Sequence, residues 1–214
     1  MQIELGNKRV GAGAPCFITF EAGPTLFDLA SALELVRQAG AAGADAIKFQ
    51  IVDADRLVAD RAQLFSYDVL VDRVSGRRET ISEPLYAILK RRELKRDEWR
   101  QVKAAADAAG LAFFATVSFF EDLDFLAGLG ADSLKIASSD IDHLPLIRAA
   151  ARTGLCIQLD TGNATLGEVE TAVDAIVAEG NTRIIIHQCP SGYPARLPSI
   201  QLRMIQTLHQ MFPF

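Results

Sequence analysis

The extended segments of this sequence carry two faces of opposite character. Ile18 and Phe20 alternate with Thr19 and Glu21, and Ile47 and Phe49 with Lys48 and Gln50. Leu134 and Ile136 flank Lys135, and Ile157 and Leu159 alternate with Gln158 and Asp160. Successive side chains on a strand point to opposite sides. Each strand therefore has one dry face and one face that ends in polar or charged groups. An open, doubly wound sheet is covered by helices on both sides and reads apolar on both. A barrel packs helices on its outside only and turns polar side chains inward at its catalytic mouth. The alternation predicts an α/β fold of the TIM type, a parallel (β/α) barrel with a polar cluster at the C-terminal ends of its strands.

The order of segments agrees. Strands are predicted over 16–23, 46–50, 112–119, 133–138, 156–162 and 183–189. Helices are predicted over 28–42, 83–109, 121–129, 144–153, 166–179 and 200–211, several of them ending at Gly43, Gly130 or Gly180. This rhythm calls for a parallel sheet with crossover helices. Before it, residues 1–13 read as a β-hairpin turning at Gly6-Asn7, which leaves 14–214 as the barrel segment. Residues 52–82, with Tyr67, Arg73, Arg77 and Arg78, form a long polar excursion, read as a functional loop or a partly ordered insertion. A complete barrel takes about 250 residues and eight βα units. The chain has 214 residues, and the rhythm yields six units. The expectation is a partial barrel lacking its last two units, in which the first and sixth strands do not pair.

Bulk properties narrow the partners. Half of the residues are hydrophobic and 23% are charged, as in ordinary globular domains. A net charge of -5 argues against nucleic acid or an anionic membrane as the main partner. No stretch approaches the roughly 18 apolar residues of a membrane span, and the first residues carry no apolar signal core. Cys16, Cys156 and Cys189 show neither CxxC nor zinc spacing, which points to a reducing, cytoplasmic compartment.

Alternation gives an inward set at the strand ends of Glu21, Lys48, Gln50, Thr116, Ser118, Lys135, Asp160 and Gln188. His187 then falls on the helix-facing side and reads as a packing residue. Two lysines inside one barrel are costly without anions. Either they pair with Glu21 and Asp160, or they neutralise a phosphorylated, carboxylated substrate to which Ser138 and Thr161 donate hydrogen bonds. The basic run Lys90 to Arg100 reads as a solvated helix face. Cys189 has no His–acid partner pattern that would make it a nucleophile.

Several segments, in order, resemble the sialic acid (N-acetylneuraminate) synthase family and its spore coat polysaccharide relatives. They are Glu21-Ala22-Gly23, the run from Ala41 to Gln50, the run from Leu134 to Asp140 with Leu144-Pro145-Leu146-Ile147, Asp160-Thr161-Gly162 with Ala164-Thr165-Leu166, and Cys189 to Pro194. The resemblance implies condensation of phosphoenolpyruvate with an N-acylated hexosamine to give a nonulosonic acid, with phosphate release, in bacterial surface polysaccharide biosynthesis. It implies that Lys48, Lys135 and Ser138 hold the phosphoenolpyruvate anion. Glu21, Gln50, Thr116 and Asp140 would face the sugar or the attacking water, with Asp160, Thr161 and Tyr193 lining the substrate site. It further implies a divalent metal, Mn²⁺ or Mg²⁺, a homodimer, and a small C-terminal domain missing here.

The chain departs from the family pattern at several positions. Pro24-Thr25-Leu26-Phe27 stands for an Asn-His-Asn-Gly-like turn, Asp160 for a Ser, and Gln188 for a metal-binding His. Residues 115–119 replace a Ser-Thr-Pro-Phe strand end. Gln188 is thereby the expected metal ligand, a weak one. The rival readings are another TIM-barrel lyase or aldolase, and a degenerate, non-catalytic sugar-binding homologue.

Overall fold

The structure, a computed structural model, describes residues 2–192 and 195–214. At the N-terminus β1 (Gln2–Leu5) and β2 (Lys8–Gly11) pair antiparallel around Gly6-Asn7. Gly6 supplies the positive φ of 57° that a tight hairpin turn needs at its first central position. The alternating part follows as β3 (Thr19–Gly23), α1 (Leu29–Ala41), β4 (Ala46–Gln50), α2 (Ala54–Leu57), β5 (Leu64–Leu70), β6 (Arg78–Pro84), α3 (Leu85–Lys90) and α4 (Arg96–Ala108). It continues as β7 (Ala112–Val117), α5 (Phe120–Leu129), β8 (Ser133–Ile136), α6 (Leu144–Arg152), β9 (Cys156–Asp160), α7 (Leu166–Ala178), β10 (Ile184–His187) and α8 (Met204–Met211).

Six strands form one parallel sheet in the order β3-β4-β7-β8-β9-β10. The order never reverses. A doubly wound sheet would reverse once and send helices to both faces, whereas an unreversed order keeps the crossovers on one face, as in a barrel wall. The packing agrees. Phe49, Phe113, Leu134, Ile136, Ile157 and Leu159 are fully buried in one core cluster with residues of the surrounding helices. Within it Phe49 meets Trp99 of α4 edge-on at 5.4 Å and Phe113 at 5.9 Å. The opposite face has a separate, smaller cluster in which Ile3 and Leu5 of the hairpin cover Ala46, Ala112, Phe114 and Cys156. The hairpin thus closes the N-terminal end of the inner face. Among the described residues β3 and β10 are the two edges of the sheet and do not pair with each other.

Residues 52–82 differ from the loop expected. They contain α2, and β5 and β6 pair antiparallel over their whole length, from Leu64↔Pro84 to Leu70↔Arg78. Phe65, Tyr67 and Val69 alternate with Ser66 and Asp68 as a strand requires. The signal is masked because both faces are largely exposed, so no continuous apolar side marks the strand.

Two strands begin with the same fastening. Gly43-Ala44-Asp45 precedes β4, and the Asp45 carboxylate accepts hydrogen bonds from the Ile18 backbone N–H at 2.7 Å and from Lys8 Nζ at 2.9 Å. Gly130-Ala131-Asp132 precedes β8, and Asp132 Oδ2 accepts from the N–H of buried Phe113 at 2.8 Å. Each carboxylate clasps the start of the neighbouring strand. Asp132→Ala would strip that buried N–H of its partner and should cost about 1–3 kcal/mol. Denaturant unfolding of the variant against the parent measures it. A change within experimental scatter would mean that the clasp contributes nothing.

Candidate active site

The upper half of the inner face is polar, and each of the six strands contributes to it. Glu21 stands on β3, Lys48 and Gln50 on β4, Thr116 on β7, Lys135 on β8, Asp160 on β9 and His187 on β10. Lys48 is only 3% exposed, and its Nζ lies 2.8 Å from Glu21 Oε2. Lys135 pairs with Asp160 Oδ2, and Asp160 Oδ1 meets His187 Nδ1 at 2.9 Å. The alternative of lysines paired with Glu21 and Asp160 is therefore the arrangement found. Below this ring a buried hydrogen bond of 2.6 Å from Gln158 Nε2 to Ser133 Oγ separates it from the apolar floor.

The environment tunes these charges. Burial pushes the Lys48 ammonium below the usual lysine range, and Glu21 offsets part of that. Burial also raises the Asp160 carboxyl, but the His187 hydrogen bond and the Lys135 charge outweigh it and hold Asp160 below the usual carboxylate range. Thr116 is buried, and its hydroxyl has no hydrogen-bond partner among the described residues. A buried hydroxyl of that kind is costly, so it marks a place where a ligand or water can bond.

The remaining candidates lie around the ring. Gln50 is half-buried, in register with Thr116. Ser138 and Asp140 lie on a short 3-10 turn, Ser138–Asp140, after β8, where burial raises the Asp140 carboxyl and His143 partly counters it. Thr161 donates its hydroxyl proton to the His187 carbonyl at 2.8 Å, tying the end of β9 to that of β10. The loops beyond touch so closely that a Cβ at Gly162 would meet Cys189 O and Sγ at 3.0 Å. Tyr193 lies outside the described residues.

One expectation is corrected. Gln188 does not belong to the inward set, and His187 does. Ile185 packs into the inner floor while Ile184 and Ile186 join the outer core, and β10 pairs His187↔Asp160. Alternation then turns His187 into the mouth and sets Gln188 with Ile186 beside Ile205 and Leu208 of α8. The run Ile184-Ile185-Ile186 is apolar on both faces, so it hides its own parity. The sequence carries a second signal, a repeat. Gly43-Ala44-Asp45-Ala46-Ile47-Lys48 and Gly130-Ala131-Asp132-Ser133-Leu134-Lys135 are one pattern used twice, so both lysines occupy the same place in their βα units.

Among the described residues no three His, Cys, Asp or Glu ligand groups converge in the mouth. His187 Nδ1 is engaged by Asp160, the Glu21 and Asp160 carboxylates are on lysines, and Gln188 faces α8. Asp53, Asp55 and Glu93 do converge, with ligand atoms within 4.8 Å of one another. There Lys90 Nζ already lies 2.8 Å from both Asp55 and Glu93, in the role a cation would take.

The Asp160 cluster makes stability depend on pH. A carboxyl whose folded pKa is lowered stabilises the fold above its unfolded value, about 3.9, and loses that contribution as pH falls through the folded value. Asp160→Asn should therefore flatten the acid limb of the stability–pH curve below about pH 4. Thermal melts across that window check it, and parallel curves for the two proteins would refute it.

Comparison with known proteins follows the same lines. Residues 35–214 match the NeuB family. N,N'-diacetyllegionaminic acid synthase of Legionella pneumophila is 33% identical over 212 residues, 97% of this chain and 58% of that protein. The structure of N-acetylneuraminic acid (sialic acid) synthetase from Leptospira borgpetersenii is similar with a TM-score of 0.84 at 31% identity, covering 100% of this chain and 68% of that one. The spore coat polysaccharide biosynthesis protein SpsE of Bacillus subtilis gives a TM-score of 0.78 at 31% identity, covering 100% of this chain and 55% of that one. The chain spans somewhat more than half the length of the curated relatives it matches. By the extent of that match and the likeness of the fold, this chain belongs to the NeuB family.

Proposed function

We propose that the chain carries the substrate-holding mouth of an enzyme that condenses phosphoenolpyruvate with an N-acylated hexosamine. The product is a nonulosonic acid with release of phosphate, used in bacterial surface polysaccharide. The observation that carries the reading is the pair of lysines inside the sheet, Lys48 at 3% exposure, with the unpartnered Thr116 hydroxyl on the strand between them. Buried ammonium groups beside a spare donor suit an anion that brings its own charge. Membership of the NeuB family, whose named relatives include nonulosonic acid synthases, supports the same substrates.

In this reaction the enol carbon attacks the aldehyde carbon of the open-chain sugar, and water adds to the cationic carbon left behind. Lys48 and Lys135 neutralise the anionic groups of phosphoenolpyruvate and stabilise charge on the departing phosphate. Ser138 donates to the same anion from the turn after β8. Glu21 has one oxygen on Lys48 and is 57% exposed, so its other oxygen accepts the proton of the attacking water. His187 donates its Nδ1–H to Asp160, and as the doubly protonated imidazolium it can give the proton on its second nitrogen to the aldehyde oxygen. Gln50, Thr116, Asp140 and Thr161 line the sugar side. No step is assigned to a divalent metal. The enzyme is read as a cytoplasmic homodimer, and among the described residues no helix is long and apolar enough to cross a membrane.

Incubation with phosphoenolpyruvate and N-acetylmannosamine or a diacetamido relative, with and without Mn²⁺, should release phosphate only when both substrates are present. Release without the sugar, or none with any N-acylated hexosamine, would count against the condensation. Lys48→Ala should weaken phosphoenolpyruvate binding by about 1.5–3 kcal/mol, the value of a charge-assisted hydrogen bond. Calorimetry reads this directly, and an unchanged affinity would remove Lys48 from the site.

A further inference from the structure

β5 and β6 form a two-stranded sheet of their own, separate from the barrel wall. β5 carries Phe65, Tyr67 and Val69 on one face and Leu64 and Leu70 on the other, and none of them belongs to either core cluster. Leu64, Phe65 and Leu70 are exposed. The hairpin is tied to α3 at its base. There the Tyr67 hydroxyl donates to Glu83 Oε1 at 2.6 Å, and Arg91 forks onto both Glu83 oxygens at 2.5 and 2.6 Å. Among the described residues β5 pairs with β6 alone, so its other edge presents backbone N–H and C=O groups without a ladder partner. A two-stranded hairpin is marginal in water and gains stability from a further strand.

An added strand must match side chains as well as backbone, and β5 matches itself. In an antiparallel pair of two β5 strands centred on Tyr67, Leu64 lies opposite Leu70, Phe65 opposite Val69 and Ser66 opposite Asp68, each twice by symmetry. Every apolar residue then meets an apolar one and no like charges face each other. Ser66 is a donor and Asp68 an acceptor, whose Oδ1 already accepts from Thr80 at 2.8 Å. Moving the centre by one residue loses the match. Centred on Asp68, that carboxylate faces its own copy, and centred on Ser66, Leu64 faces Asp68. The edge of β6 offers no equal. Centred on Ile81 it sets Glu79 against Glu83, and centred on Thr80 it sets Glu79 against Ile81.

We propose that the outer edge of β5 is a self-pairing surface, on which a second copy of this chain adds the same strand antiparallel. The product is a four-stranded sheet in the order β6-β5-β5-β6, a two-fold symmetric contact. This surface rests on the homodimer reading above and is independent of the condensation chemistry.

Hydrogen exchange of the unmodified protein at low and high concentration locates the contact. As sedimentation velocity shows dimer replacing monomer, the β5 amides should exchange about tenfold more slowly or better. Two substitutions at exposed Ser66 then test the register. Ser66→Asp sets a carboxylate against Asp68 of the other copy twice per dimer, and Ser66→Lys sets an ammonium there. Like charges directly opposite weaken a strand pair and opposite charges strengthen it, so the first should raise the dimer dissociation constant about fivefold and the second lower it by a similar factor. A monomer at every concentration overturns the surface and the homodimer reading together. A dimer whose β5 exchange is unchanged, or that responds alike to both substitutions or to neither, overturns the surface and leaves the homodimer standing. Phosphate release from the two substrates is read separately and decides the condensation.

Discussion

Two ammonium groups share the inner face of one parallel sheet, and much of what surrounds them follows from keeping them charged. An ammonium taken out of water is expensive unless an anion stays within hydrogen-bond reach. Lys48 is nearly sealed off and is paired with Glu21. Lys135 is less buried but is tied to a carboxylate that is itself anchored by His187. The Gln158–Ser133 hydrogen bond lies between these charges and the apolar floor sealed by the N-terminal hairpin. The inner face is thus graded from dry to polar along the strand direction, while the outer face stays dry throughout.

That grading explains how much could be read without coordinates. Strands such as Ala46–Gln50 and Cys156–Asp160 alternate cleanly, so their inward residues were legible, and with them Glu21, Lys48, Lys135 and Asp160. β10 was not legible, because three consecutive isoleucines satisfy either face and only packing against Cys156 and Phe114 chooses between them. The β5–β6 hairpin was obscured for the opposite reason, since it has too little apolar character on either side. That Asp160 would be shared between Lys135 and His187 could not be read at all. It depends on Asp160 being reached from two neighbouring strands at once, a contact between residues far apart in sequence.

His187 shows how a single parity decision spreads. Placed outward, it is one more packing residue under a helix. Placed inward, it pins Asp160 and, through its carbonyl, receives Thr161. The ends of β9 and β10 then behave as one unit, reinforced by the close approach of Gly162 to Cys189.

The clasps at Asp45 and Asp132 act as the zero mark of a ruler. In each repeat the lysine lies three residues beyond the clasping aspartate, which at strand rise is about 10 Å. The depth of each positive charge is therefore measured from the opposite end of the sheet. Inserting or deleting one residue between clasp and lysine would do more than shift an ammonium by a single rise. It would exchange the two faces, drive Leu134 or Ile47 into the polar mouth and press a charge against the helices. Such changes are barred here even though the sites of insertion lie well away from any reacting atom, while the loops beyond the lysines can vary in length without moving the charges.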